Sequence, residues 1–168
     1  MTEGAVVWMT GLPGAGKSSL AAHVADRLRA AGSPCAVLDG DDVRWALERP
    51  AGGGAQERDA FYAALARLAA VLARQGLVVL VAATASRAAY RDRARALAPR
   101  YLEVHVATPA AECERRDPKG LYAAARAGRA AELPGVGAPY EAPSAPDVVA
   151  SGGEDAAAAD RVIELLRR

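Results

Sequence analysis

Short apolar runs alternate along the chain with longer segments that are rich in Ala and Arg. Five runs have the length of β-strands: residues 6–10, 34–38, 77–83, 101–107 and 147–150. The longer segments predict helices at residues 17–31, 57–75, 88–98 and 154–168, with two short ones at 109–116 and 120–128. Strands that alternate with helices predict an α/β fold, in which helices cover both faces of a five-stranded, mostly parallel sheet in three layers.

Two loops interrupt this alternation. Residues 50–55 form a Gly-rich loop, and residues 133–146 contain four of the ten prolines without any periodicity. A chain of 168 residues has the length of one domain with a substantial core. The apolar stretch at 5–9 is too short for a signal peptide, and no run approaches the roughly 20 residues that cross a bilayer. We therefore expect a single cytoplasmic domain, residues 1–168, that does not act at a membrane.

The charges of the chain are nearly balanced, with 21 Lys plus Arg against 20 Asp plus Glu. This balance gives no overall attraction to nucleic acid or to an anionic membrane, so a site for anions must be built locally. Only two of the 21 cations are lysines, Lys17 and Lys119, in a sequence biased towards Ala and Arg. The two cysteines, Cys35 and Cys113, are too few for a zinc site and are predicted to be small buried side chains.

The strongest motif fits the P-loop pattern at every fixed position, and it lies between a predicted strand and a predicted helix. Its residues are Gly11-Leu12-Pro13-Gly14-Ala15-Gly16-Lys17-Ser18. Glycines allow successive N–H groups to converge on phosphate oxygens, and the N-terminus of the following helix adds its dipole. We predict that Lys17 contacts the β- and γ-phosphates of ATP and that the Ser18 hydroxyl binds Mg²⁺.

An acidic cluster, Asp39-Gly40-Asp41-Asp42, follows the second predicted strand. Residues just past the carboxyl end of such a strand face the crevice in which ligands bind. We assign Asp39 and Asp41 to the site, where they can hold magnesium-bound water or accept a proton from an attacking hydroxyl. Asp42 is predicted to be the N-cap of a helix that starts at Val43, and Arg44 is a candidate contact for an anionic acceptor.

Several other polar residues have more than one interpretation. Arg58 is either an anion contact or a partner in a surface ion pair, and Lys119 lies in a basic turn for which a functional role is favoured. A charge-rich face of one helix is predicted to be solvated: Arg87, Arg91, Arg93 and Arg95. The two histidines, His23 and His105, have no partner at ligand spacing and are interpreted as structural.

Taken in this order, the motifs resemble those of the adenylylsulfate kinase family. The resemblance runs through nearly the whole chain and rests on five stretches: residues 11–19, 39–44, 76–83 followed by Tyr90-Arg91-Asp92-Arg93, DPKGLYAAARAG at 117–128, and PYEAP at 139–143. It implies a P-loop kinase that transfers the γ-phosphate of ATP, with Mg²⁺, to the 3′-hydroxyl of adenosine 5′-phosphosulfate. The products would be 3′-phosphoadenosine 5′-phosphosulfate and ADP. A mobile lid at approximately 117–146 and a homodimer are also implied.

The resemblance implies roles for individual residues. The P-loop through Ser19 would bind ATP, with Arg116 near its adenine, and the catalytic residues would be Lys17, Asp39 and Asp41. The acceptor would meet residues from the acidic cluster, the long helix and the lid: Asp41, Arg44, Arg58, Phe61, Lys119, Gly120, Leu121 and Leu133.

Three positions on the acceptor side depart from the family pattern. The usual serine after the third strand falls on Ala85, with Ser86 one place later; Phe61 replaces an asparagine, and Leu133 replaces an aromatic residue. These departures leave room for a kinase of the same fold that uses another hydroxyl acceptor. A catalytically silent nucleotide-binding module is the alternative from another class, but a pure scaffold would not need its P-loop lysine together with the acidic cluster.

Overall fold

The structure is a computed structural model that describes residues 4–49, 53–130 and 132–168. Its strands are β1 Ala5–Thr10, β2 Cys35–Asp39, β3 Val78–Ala82, β4 Tyr101–Val106 and β5 Val148–Ala150. Its helices are α1 Lys17–Ala30, α2 Gly40–Ala46, α3 Ala55–Ala73, α4 Ala88–Leu97, α5 Ala110–Arg116, α6 Leu121–Arg126 and α7 Ala156–Leu166. The predicted strands and helices are confirmed within one or two residues, except that α2 begins three residues earlier than expected. Half of the predicted Gly-rich loop, residues 50–52, lies outside the described residues.

The sheet has the strand order β2-β3-β1-β4-β5, and every neighbouring pair is parallel. The prediction of a mostly parallel five-stranded sheet is therefore confirmed. Strand β1 lies in the middle, and all six of its residues are buried. Because the strands run in the same direction, the loops that follow β1, β2 and β3 meet at one edge of the sheet, where ligands bind in folds of this kind.

Two apolar clusters, one on each face of the sheet, make up the core. On one face, Leu20 and Val24 of α1 and Val162 of α7 pack against the strands. On the other, Leu65 of α3 and Tyr90 of α4 do the same. The predicted three-layer arrangement is thus confirmed. In the described parts of the chain, no helix combines the length and the apolar character that a membrane span requires.

Arg91 contradicts the prediction of a solvated arginine face on α4. Its side chain is only 2% exposed and forms an ion pair with Glu103 of β4, at an Nε–Oε1 distance of 3.1 Å. The remaining nitrogens of the guanidinium donate to the carbonyl oxygens of Ala85 and Glu141, each at 2.6 Å. Position 91 lies beside buried Tyr90 on the side of α4 that faces the core, so a charge there is neutralised by protein groups instead of water.

Candidate active site

The P-loop motif connects β1 to α1 in a conformation that requires glycine at two positions. Gly14 and Gly16 have φ values of 78° and 100°, in the left-handed region that other residues rarely adopt. Between them, the N–H of Ala15 donates to the Leu12 carbonyl oxygen at 3.1 Å and closes a tight turn. This loop ends at the N-terminus of α1, whose dipole favours negative charge. The loop therefore has the expected form of a phosphate-binding site.

The loop after β5, residues 151–155, packs directly against the P-loop. A Cβ atom on Gly153 would lie 2.8 Å from the Gly16 carbonyl oxygen and 2.8 Å from the Ser19 Cβ. Arg116, at the end of α5, lines the same cleft of about 550 Å³ together with Gly16, Ser19 and this loop. The structure therefore brings Arg116 to the P-loop and adds the loop after β5, which no motif in the sequence indicated.

The close contact at Gly153 leads to a prediction. Gly153→Ala is expected to lower the free energy of unfolding by about 1–3 kcal/mol, because the methyl group has no room, and to raise the Kd for ATP by moving Gly16. Gly152→Ala is the matched control, because its Cβ would meet only the Thr108 hydroxyl, at 3.6 Å. We expect it to lower the free energy of unfolding by less than about 0.5 kcal/mol. Urea denaturation measures the free energy of unfolding of each variant, and nucleotide titration measures its Kd for ATP. Equal effects of the two substitutions would contradict this account.

The Lys17 ammonium lies inside the P-loop. It donates to the carbonyl oxygens of Gly11 and Leu12, at 3.0 and 2.8 Å. Withdrawal of this group from water lowers the pKa of Lys17 to about 8; neighbouring Lys119 acts in the same direction, while Cys113 and Asp39 oppose it. The ammonium is thus positioned at the centre of the loop, where phosphate oxygens would favour its charged form.

The depressed pKa of Lys17 predicts how nucleotide binding depends on pH. With a pKa of about 8 instead of 10.5, Lys17 loses its proton in the nucleotide-free protein as the pH rises through 8. Bound phosphates favour the charged form, so affinity for ATP is full below pH 8 and falls by up to about tenfold per pH unit above it. Calorimetric titration of ATP into wild type and into Lys17→Arg, which keeps its charge, at several pH values tests this pH dependence. If the wild-type Kd changes with pH no more than the Kd of Lys17→Arg does, the prediction is refuted.

Asp39 connects the end of β2 to two helices. One of its carboxylate oxygens accepts a hydrogen bond from the Asp41 N–H at 2.9 Å and so caps α2. The other accepts from the Ser18 hydroxyl at the start of α1. The prediction that Asp42 is the N-cap is therefore wrong. The Asp39 carboxylate already accepts a hydrogen bond from an N–H group of the first turn of α2. The helix therefore begins at Gly40, and Asp42 is an exposed residue of that turn.

The pair formed by Ser18 and Asp39 fits Mg²⁺. A hydroxyl and a carboxylate are the hard oxygen ligands that this ion prefers, and Mg²⁺ takes its remaining ligands from water and from substrate phosphates. In the ranges that the structure describes, no group of three or more His, Cys, Asp or Glu residues could hold a metal ion.

The predicted acceptor residues on α2 and α3 come together beside the acidic cluster. The guanidinium of Arg44 lies over the Phe61 ring, 3.7 Å from its centroid, and the ring itself is buried. Arg58, on the first turn of α3, forms an ion pair with Glu132 at 2.6 Å. In this structure the guanidinium of Arg58 is therefore engaged in an ion pair, with a partner 74 residues away along the chain.

The basic turn before α6 also reaches this region. Lys119 forms an ion pair with Asp41, so the second lysine of the chain meets the acidic cluster that lies beside the first. The Asp117 carboxylate accepts hydrogen bonds from the N–H groups of Tyr122 and Ala123, each at 3.0 Å, and fixes the turn. The Tyr122 hydroxyl then donates to the Pro13 carbonyl oxygen at 2.7 Å, which joins the turn to the P-loop.

The other predicted lid residues divide into exposed and buried positions. Gly120 adopts a left-handed conformation with φ 65°, and Leu121 is exposed. Leu133 is buried, in a cluster that also includes Leu12 of the P-loop. Leu133 therefore anchors the lid segment, residues 117–146, to the nucleotide side of the site.

The sequence analysis missed a set of contacts behind the site. The Tyr140 and Thr10 hydroxyls are hydrogen-bonded at 2.9 Å, and the Thr10 hydroxyl donates to the Thr84 carbonyl oxygen at 2.6 Å. The Glu141 carboxylate accepts from the Ala88 N–H at 2.6 Å. These bonds fasten the end of the lid segment to β1 and to the loop after β3. The PYEAP string was the only signal for them.

A P-loop at the end of a central parallel strand, a serine–carboxylate pair beside it, and a basic turn that reaches across to the acidic cluster together define a P-loop kinase.

The family model described as adenylylsulphate kinase matches residues 3–151. The bifunctional enzyme NodQ of Azospirillum brasilense is 47% identical over 98% of this chain, which spans 27% of that protein. The adenylyl-sulfate kinase of Shewanella denitrificans is 46% identical over 85% of this chain and 71% of its own length. The structure of Mycobacterium tuberculosis APS kinase CysC in complex with AMPPNP and APS matches over 100% of both chains, with a TM-score of 0.92 and 38% identity. The chain belongs to the adenylylsulphate kinase family, and the prediction of an ATP-dependent phosphotransferase is confirmed.

Proposed function

We propose that this protein transfers the γ-phosphate of ATP to the 3′-hydroxyl of adenosine 5′-phosphosulfate, giving 3′-phosphoadenosine 5′-phosphosulfate and ADP. The observation that carries the proposal is the ion pair between Lys119 and Asp41. It brings the basic turn of the lid segment to the acidic cluster, next to the serine–carboxylate pair and the P-loop. This ion pair supports a donor site and an acceptor site that lie side by side, as direct transfer between two substrates requires.

On the donor side, the loop amides and Lys17 bind and orient the phosphates of ATP, and Arg116 lies near its adenine. Ser18 and Asp39 would hold Mg²⁺, which supplies neutralisation of the charge on the phosphates. Lys17 exchanges its bonds to the Gly11 and Leu12 carbonyls for bonds to phosphate oxygens. Because phosphoryl transfer has a loose transition state, this positioning and charge neutralisation provide most of the catalysis.

On the acceptor side, Arg44 and Arg58 recognise the anionic phosphosulfate group. Both Asp39 and Asp41 can in principle accept the proton of the 3′-hydroxyl. Both carboxylate oxygens of Asp39 are engaged, by Ser18 and by the first turn of α2. The ion pair of Asp41 with Lys119 involves one of its two oxygens, so we assign the proton to the carboxylate of Asp41. Lys119 orients that carboxylate, and closure of the lid segment over the reactants excludes water and limits hydrolysis of ATP.

A coupled assay of ADP release tests the proposal. Purified protein is incubated with ATP and Mg²⁺, alone or with adenosine 5′-phosphosulfate, adenosine 5′-phosphate, a nucleoside or a sugar. We expect ADP release with adenosine 5′-phosphosulfate, only a background rate with ATP alone, and loss of activity with EDTA. Turnover with a sugar instead would favour a kinase with another acceptor, and no turnover with any acceptor would favour the silent module.

A further inference from the structure

The acceptor-side cations Arg58 and Lys119 are each paired with a carboxylate of the chain itself. Arg58 bonds to Glu132, and Lys119 bonds to Asp41. On the nucleotide side, Lys17 donates to two backbone carbonyls, and none of the described residues forms an ion pair with it. An anionic acceptor must therefore compete with internal carboxylates, whereas the phosphates of ATP replace only neutral carbonyl groups.

Arg58 is held in a fixed orientation by contacts on two sides. One terminal nitrogen donates to the Gly53 carbonyl oxygen at 3.2 Å, just before α3, and the other donates to Glu132 at 2.6 Å. The Arg58 side chain is 27% exposed and that of Glu132 is 63% exposed. The Glu132 carboxylate thus occupies the outer side of the guanidinium, which is the side that a ligand from solvent would approach.

The position of Glu132 is set by an anchored turn. The next residue, Leu133, is buried. Its carbonyl oxygen accepts hydrogen bonds from the N–H groups of Val136 and Gly137, each at 3.0 Å, and of Ala138 at 3.1 Å. Because this turn is packed against the P-loop, the lid segment presents Glu132 to Arg58 from a fixed backbone.

We propose that Glu132 is an internal competitor for the acceptor, and that its carboxylate takes the place on Arg58 that the anionic group of the acceptor occupies. This inference rests on the proposed function, which assigns Arg58 to acceptor binding. Carboxylate, sulfate and phosphate oxygens are interchangeable ligands of a guanidinium. A phosphosulfate can replace the Glu132 carboxylate on Arg58, so the contact lowers the affinity for an anionic acceptor by competition. A neutral hydroxyl compound that displaced Glu132 would leave the guanidinium unpaired, so the contact also disfavours neutral compounds at this place.

The test is calorimetric titration of adenosine 5′-phosphosulfate into the protein in the presence of Mg²⁺ and ADP. Glu132→Gln keeps the shape of the side chain and removes its charge. We expect the Kd for the acceptor to fall about two- to fivefold, with the Kd for ADP unchanged. Glu164→Gln is the matched control, because Glu164 is an exposed carboxylate that forms ion pairs with Arg161 and Arg168 on α7, and it should leave both constants unchanged.

A second pair of variants tests whether Glu132 acts through Arg58. In an Arg58→Met background, Glu132→Gln should give no further gain in affinity. An unchanged or higher Kd for Glu132→Gln in the wild-type background overturns the inference, as does an equal gain in the Arg58→Met background. If wild type binds the acceptor but transfers no phosphate, the proposed function is wrong. The comparison of Kd values between wild type and Glu132→Gln remains a valid test of Glu132 in that case. If neither wild type nor Glu132→Gln binds the acceptor, both proposals are wrong.

Discussion

Replacing Lys17 with methionine is expected to lower kcat by about 10²–10³-fold, the loss typical when one preorganised charge or donor is removed from a transition state. The ammonium already lies within the P-loop, on the carbonyl oxygens of Gly11 and Leu12. It therefore needs no large movement to reach the phosphates. Methionine keeps an unbranched side chain but provides no charge, and ADP release under saturating ATP and acceptor measures the loss.

The same substitution should not destabilise the fold. Removal of the Lys17 ammonium from water lowers its pKa, so the charged form is unfavourable in the nucleotide-free protein. Lys17→Met should unfold cooperatively, with a Tm at least equal to that of wild type. Lys119, the other lysine, is exposed and paired with Asp41. Lys119→Met should therefore lower kcat and raise the KM for the acceptor, while leaving the KM for ATP nearly unchanged. Retained activity in Lys17→Met would contradict the role of the P-loop.

Arg91→Met is expected to lower the free energy of unfolding by about 3–5 kcal/mol, the cost of breaking a buried ion pair from one side. The substitution leaves the buried Glu103 carboxylate without its main partner. It also leaves the carbonyl oxygens of Ala85 and Glu141 without a donor. Ala85 has the unusual φ of 43°, and the loop after β3 loses one of the two hydrogen bonds that hold Ala85 in this conformation, while the bond from its N–H to the Tyr62 hydroxyl remains.

Arg95→Met is the matched control for this prediction. Arg95 lies one turn further along α4 and reaches the other oxygen of Glu103 at 3.4 Å, but its side chain is 46% exposed. An exposed ion pair contributes little, so we expect a loss of less than about 1 kcal/mol. Urea denaturation of both variants measures the difference, and equal losses would show that burial of Arg91 is not the source of the stability.

Much of the fold could be predicted from the sequence because its signals are local. Alternating apolar runs and Ala-rich segments located the strands and helices, and parallel strands then place their carboxyl ends at one edge. The P-loop was recognisable because its glycines and Lys17 follow one another without a gap. Asp39, at the end of the next strand, could be assigned to the same edge for the same reason.

The contacts that could not be predicted join residues that are distant in sequence. Arg91 resembles its neighbours Arg93 and Arg95 in sequence, and what distinguishes it is its burial between Glu103 and the carbonyl oxygens of Ala85 and Glu141. The pairing of Arg58 with Glu132 depends on how the lid segment folds back. Within the acidic cluster, composition could not decide which carboxylate caps α2, because Asp39 and Asp42 are both good capping residues and the choice depends on where the strand ends.

The most direct test of the proposed reaction follows the label from [γ-³²P]ATP into the acceptor. Purified protein is incubated with Mg²⁺ and either adenosine 5′-phosphosulfate or its 3′-deoxy analogue, and the products are separated by chromatography. We expect label in 3′-phosphoadenosine 5′-phosphosulfate, released by a 3′-nucleotidase, and none in the 3′-deoxy compound. The absence of labelled nucleotide with adenosine 5′-phosphosulfate, or equal labelling of the 3′-deoxy analogue, would contradict transfer to the 3′-hydroxyl.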